Sequence, residues 1–138
     1  MIVVDSSALV LALTHRGEPG AEAAKRMTGQ RLLAPSVIDF EVAHALRGLV
    51  LGGKITGDEG RAALGLVGSL LIKRTPGYAL FERVWELRRN LSAYDAAYVA
   101  LAEHAGCTLV TADARIHRAN VARCDIDVIG ATSGGATP

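Results

Sequence analysis

Short β-type segments alternate with longer stretches of helical periodicity along the chain, and this alternation constrains the fold more than any other feature. Ile2-Val3-Val4 reads as a buried strand, followed by a helix carrying Ala8, Leu9, Leu11 and Ala12. Pro19 suits the first turn of a second helix, running to Met27. Arg31-Leu32-Leu33-Ala34 is a second strand, and Pro35-Ser36 leads into a helix from Val37 to about Leu51. Val37, Phe40, Ala43, Leu46 and Val50 fall at helical spacing there, with Ser36 as the expected cap and Gly52-Gly53 as the stop. Thr56-Gly57-Asp58-Glu59 has the form of a capping box and opens a helix to around Gly68. Leu70 to Arg74 is a third strand, Tyr78 to Arg89 an amphipathic helix with Trp85 as a packing residue, and Ser92 to Ala105 a helix closed by Gly106. Thr108 to Thr111, Asp113 to about Ala122, and Ile126 to Ile129 complete the series as strand, helix and strand. Such a series implies an α/β fold: a parallel sheet of about five strands with helices on both faces, joined by right-handed crossovers. One domain over residues 1–130 is expected, with a loose tail from Ala131 to Pro138.

Composition narrows the class. Half of the 138 residues are hydrophobic and 21% are charged, which places the chain among folded globular domains. No apolar run reaches the length of a membrane span, and no basic leader precedes the first strand, so a cytoplasmic protein is expected. Cys107 and Cys124 give neither a zinc spacing nor a disulfide framework, and the four histidines form no His-x-x-x-His pair.

The chemistry lies in four acids. Asp5 directly follows the first strand; Glu41, Asp95 and Asp113 stand at or near the starts of later helices. In a parallel α/β sheet, residues just past the carboxyl ends of the strands share one crevice. Each acid alone has a structural explanation as a helix cap or first-turn residue. Ser92-Ala93-Tyr94-Asp95 itself resembles a capping box, and Asp39, three residues after Ser36, is better explained as capping-box-like than as a site residue. Their joint placement is harder to explain that way. Two carboxylates about 4 Å apart repel by roughly 4 kcal/mol at an effective dielectric near 20, so a crevice that gathers four calls for a cation. Carboxylates suit magnesium or manganese better than zinc.

The segments Val3-Val4-Asp5-Ser6-Ser7-Ala8-Leu9, Phe40-Glu41-Val42-Ala43-His44-Ala45-Leu46, Tyr94-Asp95-Ala96-Ala97-Tyr98-Val99-Ala100-Leu101-Ala102 and Leu109-Val110-Thr111-Ala112-Asp113 resemble, in order, those of the PIN-domain ribonucleases. The likeness is nearest to the VapC toxins of bacterial toxin–antitoxin pairs. It implies a single PIN-like domain and a divalent-metal-dependent endoribonuclease, in which metal-activated water cleaves phosphodiesters to leave a 5′-phosphate and a 3′-hydroxyl. Carried over by position, Asp5, Glu41, Asp95 and Asp113 would be the catalytic, metal-binding acids, and Ser6 and Thr111 hydroxyls that orient a carboxylate or water. Some family members carry a further acid soon after the last aspartate; here Ala114, Arg115 and Ile116 follow. The resemblance also implies a homodimer and a cognate VapB-like antitoxin.

Arg115 and Arg118 are the candidates for gripping RNA phosphates, with Lys73 and Arg47 behind them; Tyr94 is read first as a core or rim tyrosine, with stacking on a base beside Asp95 as the alternative. The formal charge of +1 falls short of a typical nucleic-acid binder, though without the four acids it becomes +5. Two enzymatic rivals fare worse. A phosphoryl-receiver domain needs an aspartate at the end of strand three, where Lys73-Arg74-Thr75 stands, and a haloacid-dehalogenase-like phosphatase needs an acid at Ser7. The remaining alternative is a non-catalytic PIN-like module that binds RNA or protein.

Overall fold

The computed structural model describes residues 1–130, so the tail expected over 131–138 lies outside the described residues. Five strands form one parallel sheet in the order β3-β2-β1-β4-β5: β1 (Ile2–Val4), β2 (Leu32–Pro35), β3 (Ile72–Thr75), β4 (Thr108–Thr111) and β5 (Ile126–Val128). β1 lies at the centre with Val3 opposite Leu33 on one side and Leu109 on the other, and all three of its residues are buried. A central parallel strand covered on both faces has to be continuously apolar, as Ile2-Val3-Val4 is.

Among the described residues, seven α-helices connect the strands: α1 (Ser6–Thr14), α2 (Glu18–Met27), α3 (Ile38–Leu51), α4 (Gly57–Ser69), α5 (Phe81–Glu86), α6 (Ala93–Ala105) and α7 (Ala114–Ala119). The chain steps outward from β1 to β3 and then crosses back to β4 and β5. With right-handed crossovers this reversal puts α1 to α4 on one face and α5 to α7 on the other. Contacts of α1 with α2 and α3, and of α5 with α6, agree. The reversal opens a crevice between the carboxyl ends of β1 and β4, where α/β sheets bind ligands.

Three expectations are corrected. The buried face of α3 carries Ile38, Val42 and Leu46, while Phe40 is 79% exposed. Leu46 belongs to both possible stripes, and a helix so rich in small apolar residues does not fix its own rotation. The helix expected over Tyr78–Arg89 is a 3₁₀ turn, Gly77–Leu80, followed by the short α5. Leu80 and Leu87 enter the core there, whereas Trp85 is exposed beneath the Arg88 guanidinium, 4.7 Å from the ring centre. Ser36 is not a cap: α3 starts after Val37 with no side-chain cap bond, and the Ser36 hydroxyl donates to the Thr75 carbonyl. Asp39 correspondingly makes no capping box, and its carboxylate takes three bonds of 2.7–2.9 Å from Arg74 of β3. Elsewhere the end signals act as read, with Thr56 and Glu59 forming both halves of their box and Gly106 closing α6 at φ 64°.

Candidate active site

Asp5 is where β1 hands over to α1. Its extended backbone keeps the ladder going, donating its N–H to the Val110 carbonyl at 3.1 Å, and its side chain caps α1 by accepting from the Ala8 amide at 2.9 Å. The same oxygen, Oδ1, accepts from the Ser7 hydroxyl at 2.7 Å, and Oδ2 accepts a very short bond from the Thr111 hydroxyl of β4. Thr111 Oγ1 in turn accepts from the Asp113 amide at 2.9 Å, and Ser7 Oγ accepts from the Ala112 amide at 3.0 Å. These bonds stitch the two strand ends together and leave Asp5 only 4% exposed. Burial holds its carboxyl above the ordinary carboxylate range against the three hydrogen bonds, and the nearby Asp113 adds to the rise.

Glu41 reaches the crevice from the first turns of α3 on one face of the sheet, and Asp95 from the first turn of α6 on the other. Tyr98, one turn along α6 from Asp95 and almost fully buried, donates its hydroxyl to Glu41 Oε1 at 2.5 Å. That bond joins the two helical layers across the sheet edge. Burial raises the Glu41 carboxyl, Tyr98 opposes the rise, and Asp95 and Asp5 add to it. Burial and the charge of Asp113 likewise raise Asp95. The Tyr98 phenol stays protonated, its pKa driven upward by burial and by the Glu41 it serves.

Asp113 caps α7 by accepting from the Arg115 amide at 3.0 Å. The Arg115 guanidinium also seats on its carboxylate, at 2.7 Å from Nη2 and 3.0–3.1 Å from Nε, and holds the carboxyl below its usual range. Arg118 adds a weaker pull in the same direction. Lys73, by contrast, sits exposed on the edge strand β3, two strands from β1.

The four sequence-nominated acids therefore form a closed electrostatic ring: Asp5 with Glu41 and Asp113, and Asp95 with Glu41 and Asp113. Among the described residues, no three His, Cys, Asp or Glu side chains stand close enough to grasp one ion directly. This donor set still fits magnesium or manganese. All four ligand candidates are carboxylates, three are held above their usual range, and magnesium binds through one or two carboxylates while keeping several waters.

Two participants escape a reading of the sequence. Ser7, rather than Ser6, bonds to Asp5, while Ser6 faces the Tyr98 hydroxyl. Tyr98 was legible in principle, since the spacing Asp95-x-x-Tyr98 puts both side chains on one helix face. A cavity of about 530 Å³ adjoins Glu41, with Phe40 and His44 of α3 on one side and Tyr94 of α6 among its other lining residues.

Comparison with known proteins agrees with this architecture. The PIN domain family model matches residues 2–122. Ribonuclease VapC9 of Mycobacterium tuberculosis is 45% identical over 94% of this chain and 98% of its own length. Among solved structures, Mycobacterium tuberculosis VapC20, described as a sarcin-ricin loop cleaving toxin, superposes with a TM-score of 0.66 at 17% identity, covering 86% of this chain and 95% of that one. VapBC2 from Rickettsia felis, solved with a DNA fragment from its promoter, gives 0.64 at 13% identity over 94% of this chain and 99% of that chain. A five-stranded parallel sheet with carboxylates at its switch point, matched by a family model over nearly all of its length, establishes that the chain belongs to the PIN-domain family and stands with its VapC proteins.

Proposed function

We propose that this protein is the toxin of a type II toxin–antitoxin pair and acts as a divalent-metal-dependent endoribonuclease, with Asp5, Glu41, Asp95 and Asp113 as its catalytic acids. The observation that carries the reading is the meeting of four chain segments at the β1–β4 end of the sheet, where Thr111 ties Asp5 to the Asp113 amide and Tyr98 ties Glu41 to the helix that carries Asp95. Such crowding costs stability unless positive charge arrives.

When bound, magnesium or manganese would supply the charge that acidifies water and polarises a phosphodiester. The protein's own groups provide the order around it. Ser7 and the Ala8 amide occupy Oδ1 of Asp5 and Thr111 holds Oδ2, which keeps one lone pair for the crevice. Tyr98 holds Glu41 by one oxygen, so Oε2 is unencumbered by that bond. Asp95 meets the Ser92 hydroxyl through its backbone amide, and the pull of Ser92 and Arg115 on its carboxyl is outweighed by burial and Asp113. Arg115 neutralises Asp113 and is three-quarters exposed, so an incoming RNA phosphate can share its guanidinium. Arg118 backs it from the same short helix.

An antitoxin partner and a homodimer complete the proposal, supported by the relationship to VapC proteins and the likeness in fold to VapBC2. A cytoplasmic setting follows from the RNA substrate; no helix among the described residues is long and apolar enough to cross a membrane.

The test is cleavage of structured RNA by purified protein with magnesium, with manganese, and with chelator. We expect cleavage in the first two alone, and loss of at least about 100-fold in Asp5→Asn, the scale of removing one preorganised electrostatic group. Asp5→Asn cutting as fast as the parent would refute the assignment. RNA retained without cleavage under every metal would instead identify a binding module.

A further inference from the structure

Phe40 and Tyr94 are 79% and 59% exposed, respectively. A single exposed aromatic is ordinary on a protein surface. These two line the same cavity, which shares Glu41 with the carboxylate crevice and, at about 530 Å³, falls within the 300–1,000 Å³ typical of small-ligand pockets. They come from opposite helical layers, Phe40 from α3 and Tyr94 from the first turn of α6, next to Asp95. Neither is needed by the core, whose α3 contribution is Ile38, Val42 and Leu46.

The outer face of α3 continues the pattern. Phe40, His44 and Arg47 are exposed and follow one another at four- and three-residue spacing, so they form a stripe leading away from Glu41. Four residues of helix advance about 6 Å. An aromatic ring, an imidazole and a guanidinium in succession match what a single strand of nucleic acid presents: base faces, base edges and phosphates.

We infer that this cavity receives one unpaired nucleobase of a single-stranded RNA segment, stacked on Phe40 and Tyr94, so that the adjoining phosphodiester lies over the carboxylates. The inference rests on the ribonuclease reading, and what it adds is the pair of side chains that would hold the base. Duplex RNA cannot offer a free base to the cavity. Phe40 and Tyr94 thus act as positioning residues.

The test uses the full chain in an Asp5→Asn background, with short single-stranded RNAs carrying 2-aminopurine. Binding should quench the fluorophore, and Phe40→Ala should weaken affinity by about 5- to 150-fold, the range of losing one base–aromatic stack. Phe40→Trp should restore affinity and Phe40→Leu should not. In an end-labelled RNA read by fluorescence anisotropy, an abasic residue at that position should erase the difference between parent and variant. Unchanged binding in Phe40→Ala and Tyr94→Ala, or full rescue by leucine, overturns the inference. So does a Phe40→Ala variant that changes sedimentation while binding RNA normally, because the face then joins two copies of the chain. If RNA is cleaved with magnesium by the Asp5 protein while the Phe40 variants behave as parent, only this inference fails; if nothing is cleaved or bound, the ribonuclease reading fails with it.

Discussion

Thr56-Gly57-Asp58-Glu59 and Ser92-Ala93-Tyr94-Asp95 carry one sequence pattern, a hydroxyl with an acid three residues later, and put it to different uses. At the first, Thr56 accepts from the Glu59 amide at 3.1 Å and Glu59 returns the bond by accepting from the Thr56 amide at 3.2 Å. The Glu59 carboxyl is accordingly held below its usual range by that backbone bond. At the second, Ser92 accepts from the Asp95 amide at 3.1 Å and no bond returns, because aspartate is one methylene too short to complete the box comfortably. Asp95 is instead pushed up by burial and by Asp113. The lesson is that burial sets the direction: the exposed Glu59, held by the Thr56 amide, is lowered, while the half-buried Asp95 is raised, and so is the buried Asp5 although it too accepts from a backbone amide. Ser36-Val37-Ile38-Asp39 is a third copy of the pattern in which neither half forms, the acid going to Arg74.

The largest effect that could break this comparison is on cleavage. Asp95→Asn should reduce RNA cleavage by at least about 100-fold while its melting midpoint holds or rises, since the substitution keeps the Ser92 cap and removes a repelled charge. Thr56→Ala should do the reverse, lowering stability by about 1 kcal/mol with cleavage unaltered. An Asp95→Asn protein that cuts normally but melts early would make both acids structural.

A pH series sharpens the contrast at intermediate size. Asp5, Glu41 and Asp95 have folded pKa values raised above the ordinary 3.8, 4.5 and 3.8, so the folded state holds more protons in that window. Their contribution to stability therefore falls as pH rises through the raised values and recovers on acidification. Asp113, Glu59 and Glu103 are lowered and contribute oppositely, losing stability as pH falls through their depressed values. Metal-free protein should gain melting temperature as pH falls through the raised values, and magnesium should raise the midpoint more above them than below, by up to about 2.7 kcal/mol of stability at a hundred times its dissociation constant. A magnesium shift independent of pH, or no shift, would separate the raised carboxylates from metal binding.

The smallest effect concerns the third copy. Arg74→Ala should cost at most about 1 kcal/mol, as exposed ion pairs do, and leave cleavage intact. Loss of cleavage in Asp39→Asn would bring Asp39 into the site.

What the chain discloses about itself divides along physical lines. Strands and helices are local, and most of their runs and glycine stops were legible to within a residue or two; the exceptions are the absent Ser36 cap, α7, which stops at Ala119 rather than about Ala122, and the stretch near Tyr78, where Leu80 and Leu87 enter the core through a 3₁₀ turn and a short helix. The four acids were legible because each follows a strand or opens a helix. The strand order, the rotation of α3 that exposes Phe40, and the Tyr98–Glu41 bond depend on partners distant in sequence, 57 residues apart for that bond. Ser7 was overlooked because Ser6 and Ser7 are alike until β4 arrives to bond one of them.

The closure of Asp5 by Thr111 spans 106 positions of the chain. A growing polypeptide released residue by residue carries its first acid from the outset, yet only Ser7 and the Ala8 amide are at hand to hold it until β4 slots in beside β1. Contacts between such remote segments form late in folding. Incomplete chains ending before residue 108 would lack both the hydroxyl and the last aspartate, so the fold itself delays any harm to the cell making it until synthesis is nearly finished.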